Sequence, residues 1–66
     1  MKEQALSCWD TFVLLNRTNR IKGKIKKYLF NLTAWMSDCL KHEDYESLND
    51  FIKEFRRIVR KLTWMN

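Results

Sequence analysis

Between Ser47 and Asn66 the apolar residues recur every three or four positions, and cations fill the side opposite them. At 100° per residue, Leu48, Phe51, Ile52, Phe55, Ile58, Val59 and Leu62 share one arc of roughly 140°, the width expected of a helix that turns one face to a core. The back of this helix carries Lys53, Arg56, Arg57, Arg60 and Lys61, with Trp64 among them one turn after Arg60. A tryptophan in that position gains nothing from the core.

With no proline and one glycine, the chain has few places to break, so turns are read from polar clusters and caps. In the first segment Ala5, Leu6, Cys8, Trp9, Phe12, Val13 and Leu15 cover nearly half a helix circumference. That width predicts a helix over about 2–16, buried against two neighbours at once. The cluster from Asn16 to Arg20 is poor in helix formers and rich in capping side chains, which places a turn there with Thr18 or Asn19 capping the next helix. The alternative is one helix running straight through.

The second helix, about 19–41, has Ile21, Ile25, Tyr28, Leu29, Leu32, Trp35, Met36, Cys39 and Leu40 stepping along one face. Lys41 and His42 close it with cations that complement the C-terminal dipole. Asp44 or Ser47 caps the third helix, about 45–64, with Ser47 and Asp50 as a loose capping box. A joint of a few residues makes the second and third helices antiparallel neighbours. The expected fold is therefore all-α: a three-helix bundle built from a helical hairpin and an N-terminal helix, in one domain over 1–66, with homodimerisation as a further way to cover the stripes.

A chain of 66 residues buries only about 60% of its extended-chain surface, so its own core gives modest stability. Aromatics at 14% and hydrophobics at 45% nevertheless argue against disorder. Thirteen Lys and Arg against eight Asp and Glu give a net charge of +5, which favours polyanions or acidic protein surfaces as partners. The N-terminus has no secretory pattern, and the longest apolar run, Phe12 to Leu15, is far short of the ~18 residues a membrane span needs. The expectation is a cytoplasmic protein without a transmembrane segment. Two glycosylation-type tripeptides, at Asn16 and Asn31, are then chance matches.

Cations form two runs, Arg17 to Lys27 and Lys53 to Lys61, and Phe30 stands about half a turn of the helical wheel from its own stripe, one turn after Lys26. Phe30 and Trp64 thus read as two aromatics inside cationic patches. Such a surface fits an acidic protein partner with aromatic anchors, or a phosphate backbone with stacking platforms. Solvated charge with aromatics that cover a neighbouring helix would give the same pattern.

Other chemistry is poorly served. A helix-turn-helix around Gly23 would put Lys22 and Lys24 where apolar packing residues are required. Cys8, Cys39 and His42 are the only soft metal ligands, one fewer than a structural zinc site takes, and both cysteines fall on or near apolar arcs as small core residues. A Cys8–Cys39 disulfide would need an oxidising compartment. No positioned acid, base or nucleophile stands out for catalysis, and the second helix, though a cationic amphipath able to lie on an anionic membrane, is better used as core.

The sequence therefore predicts a non-enzymatic binding protein without cofactor or metal. It would act as a regulator or inhibitor by docking Lys22, Lys26, Phe30, Lys53, Arg56, Arg57, Arg60 and Trp64 on a larger protein with an acidic or apolar groove. The alternative is a nucleic-acid-binding protein using the basic faces of the second and third helices.

Overall fold

The computed structural model describes residues 2–64, with side chains as far as Leu62. Three helices pack against one another: α1 (Lys2–Arg17), α2 (Gly23–Lys41) and α3 (Tyr45–Trp64). The bundle is 35 Å long and 20 by 18 Å across. Across a joint of three residues Trp35 lies 5.6 Å from Phe51, ring centre to ring centre and tilted, so α2 and α3 run antiparallel; across a joint of five Phe12 meets Phe30 at 6.0 Å, so α1 is antiparallel to α2 and parallel to α3.

Two backbone devices make the joints. At the end of α1 the Arg20 N–H reaches back to the Leu15 carbonyl and the Asn19 N–H to that of Asn16, with Asn19 left-handed at φ 56°. This is a Schellman closure, and asparagine adopts its left-handed position more readily than most residues. Neither Thr18 nor Asn19 caps α2 as the sequence suggested. The Thr18 hydroxyl donates backwards, to the carbonyls of Leu14 and Leu15. α1 and α2 are separate helices, and α2 starts at Gly23, four residues later than expected. Its N-cap, Lys22, is extended and gives no side-chain cap, and Gly23 has φ +62°. Open space surrounds the position where a Cβ would project from Gly23, so its backbone conformation, and not crowding, is what calls for glycine.

The second joint repeats the closure. The Asp44 N–H bonds the Cys39 carbonyl at 2.8 Å and the Glu43 N–H that of Leu40, with Glu43 left-handed at φ 56°. Asp44 then caps α3 by accepting the Ser47 N–H on Oδ1 at 3.3 Å. Ser47 lies in the first turn of α3 and is not the cap.

The core is formed by Ala5, Cys8, Phe12 and Leu15 of α1, Leu29, Leu32, Met36 and Cys39 of α2, and Leu48, Ile52 and Phe55 of α3, closed at one end by Ile21. Phe51, Ile58, Val59 and Leu62 pack against it, so the α3 stripe lies where its periodicity put it. In α2 the buried arc is turned from the expected one. Ile21 is buried but precedes the helix, Ile25 lies within the buried arc yet is exposed in the helix's first turn, Tyr28 and Trp35 are exposed on one edge, and Thr33 is buried on the other. Thr33 enters the core because its hydroxyl donates to the Phe30 carbonyl at 2.6 Å, which removes the cost of burying it bare. In α1 the arc is cut in half: Leu6 is 53% exposed and Trp9 45%. Cys8 and Cys39 are both free thiols, so no disulfide staples α1 to α2.

Candidate functional site

The antiparallel hairpin and the parallel placement of α1 bring the end of α1, the start of α2 and the end of α3 to one end of the bundle. That half, residues 10–33 and 51–62, holds six cations from Arg17 to Lys27 and five from Lys53 to Lys61, against the two acids Asp10 and Glu54. The other half holds Lys2 and Lys41 against six acids: Glu3, Asp38, Glu43, Asp44, Glu46 and Asp50. A chain of modest net charge is thus strongly polarised along its length.

Lys53, Arg56, Arg57 and Arg60 line a shallow hollow on α3. Arg57 pairs with Glu54 one turn before it, and that hydrogen bond, with the carboxylate's charge, raises the guanidinium's pKa further. Arg56 and Arg60 also border the seam with α1, where they flank Ser7, Cys8 and Thr11. Burial pushes the Cys8 thiol pKa up, and the nearby Arg56 opposes this. Burial likewise raises that of Cys39, helped by Asp44 and Asp38. Both thiols are therefore poor nucleophiles. Among the described residues no three of His, Cys, Asp and Glu come together as metal ligands, and no helix is long and apolar enough to cross a membrane.

The structure gathers four of the eight residues singled out in the sequence, Lys53, Arg56, Arg57 and Arg60, on one surface. Lys22 and Lys26 are exposed at the start of α2, at the same end of the bundle. Phe30 does not join the cations of α3. Its ring lies on Phe12 and is half exposed in a groove between α1 and α2. The Trp64 side chain lies outside the described residues, so its pairing with Phe30 stays an expectation.

That groove encloses about 450 Å³ and is lined by Ala5, Leu6 and Trp9 of α1 and by Phe30, Thr33, Ala34, Met36, Ser37 and Leu40 of α2. None of these side chains is charged. Sequence reasoning assigned Leu6 and Trp9 to the core and overlooked Ala34. The usable signal was the width of the α1 arc, which exceeds what a helix lying in the seam between two others can bury. Against known proteins, the chain matches no family model, no curated protein and no solved structure.

Proposed function

We propose that this chain is a small non-enzymatic binding protein that regulates or inhibits a larger protein by docking on it. The observation that carries this reading is the α1–α2 groove. Leu6, Trp9 and Phe30 are each about half exposed beside a core that is complete without them. A monomer this small gains nothing from leaving three large apolar side chains together in water, whereas a partner that covers them gains on the order of 25 cal/mol for each Å² buried. The cationic end adds attraction toward an acidic partner, which speeds encounter more than it tightens binding.

The polarised charge also favours a second reading, a polyanion such as nucleic acid held at the basic end. Phe30 lends it less support than its place in the sequence implied, because its ring packs on Phe12 away from the α3 cations.

Capture of tagged protein from its native lysate, with and without nuclease, separates the two. Docking on a protein predicts partners that survive nuclease and weaken mildly with salt. A nucleic-acid target predicts that nuclease strips every partner and that affinity falls steeply between 50 and 200 mM salt, by about 10³-fold for six phosphate contacts.

A further inference from the structure

We infer that the outer face of α3 holds a single-stranded nucleic acid, with phosphates along its cations and a base on Tyr28 of α2. The inference rests on the polyanion reading above and gives it a place and a ligand. Lys53, Arg56, Arg57 and Arg60 follow one another at helical spacing, line one hollow and are all exposed. They span about 10 Å along α3, on the side opposite its buried stripe. Lys61, also exposed, follows Arg57 by one turn. Of the two acids in this half, Glu54 lies beside the row and is paired to Arg57, while Asp10, on α1, does not line the hollow. Asp50 stands one turn before Lys53 and bounds the row at that end.

Charge forms the centre of this surface. Among the described residues of α3, the one large apolar side chain left exposed is Tyr45, at the far end of the helix. A protein interface has a centre from which charge is depleted, whereas nucleic-acid interfaces are polar and strongly cationic. The aromatic contact stands at the edge of the row. Tyr28, 41% exposed, lies across the α2–α3 seam within electrostatic reach of the Arg57 guanidinium. Exposed Lys24 precedes it by one turn, with Ile25 exposed beside them. A duplex turns its base faces inward and would leave this ring bare, while a single strand stacks a base on it as its backbone follows the cations. α3 packs on both α1 and α2, so its outer face lies across the core from the α1–α2 groove. A strand bound there leaves the groove open, and the chain can hold a nucleic acid and a protein at once.

The probe is a fluorescein-labelled strand of about 20 nucleotides and mixed sequence, as DNA and as RNA, titrated with the full chain by anisotropy, alone and annealed to its complement. The single strand should bind about five-fold or more tightly than the duplex, and Tyr28→Ala should lose about that factor. Affinity for the strand should fall about 50-fold between 50 and 200 mM salt for four neutralised phosphates. Lys53→Gln/Arg57→Gln should weaken binding by about ten-fold or more, while Lys2→Gln/Lys41→Gln, an equal loss of charge at the other end, should stay within about two-fold of the parent. Circular dichroism confirms that each variant keeps its helices. Duplex bound as tightly as the strand, poly-glutamate bound as tightly as either, equal losses in the two charge variants, or no loss in Tyr28→Ala each overturns the inference and leaves the polyanion reading standing. No binding of strand, duplex or poly-glutamate at 50 mM salt overturns both. The docking function is decided separately, by the lysate capture.

Discussion

α1 and α3 are parallel neighbours of similar length, yet they use their apolar residues differently. Every member of the α3 stripe is buried or packed against the core, down to Phe55 at 1% exposure. α1 buries Ala5, Cys8, Phe12 and Leu15 and leaves Leu6, Trp9 and Leu14 exposed. The difference is one of neighbours. α3 fills one seam with one stripe, while α1 carries a stripe wide enough for a further partner. A wide arc on a peripheral helix therefore measures apolar surface left over for something else.

The sharpest way to break this contrast is truncation on each helix. Phe55→Ala should cost about 3–5 kcal/mol, a large share of the roughly 3–10 kcal/mol available to a chain of this size. Leu6→Ala should cost less than about 1 kcal/mol, as exposed sites do. Urea denaturation reads both, and equal losses would mean that α1 is as fully used as α3. A smaller effect concerns the start of α3, which has a side-chain cap where α2 has none. Asp44→Ala should lower stability by about 1 kcal/mol, and Glu43→Gly should raise it by up to about 1 kcal/mol by relieving the left-handed glutamate.

The smallest effect uses the thiols. Cys8 and Cys39 hold their protons more tightly when folded, because burial disfavours the thiolate. Their contribution is therefore intact below the unfolded thiol's pKa of about 8.5 and is lost as the pH rises from there through the folded value. Melting temperature should fall over that range, and fall less in Cys8→Ala/Cys39→Ala. At neutral pH Cys8 should be alkylated before Cys39, because opening of α1 alone uncovers it. The reverse order would make the hairpin the weaker part.

How much of this was legible in the sequence follows the same divide. The α3 bounds, its stripe and Asp44 as one of two candidate caps could be read from spacing and side-chain type. The start of α2 could not, because a Schellman closure is made of backbone bonds, and Thr18 and Asn19 look alike whether they end one helix or begin another. Phe30 was misplaced for a different reason. A helical wheel gives its angle within α2 and says nothing about which side α1 will take. Charge polarity was hidden too, since runs far apart in the chain become one end only when α1 lies parallel to α3.

That polarity has an outcome at a distance. The bundle is 35 Å long, several times the screening length of about 8 Å at physiological ionic strength. An approaching charged surface therefore feels the near pole alone. The molecule meets an anionic object end-on, turned by torque before any side chain touches, and a cationic object meets it from the opposite pole.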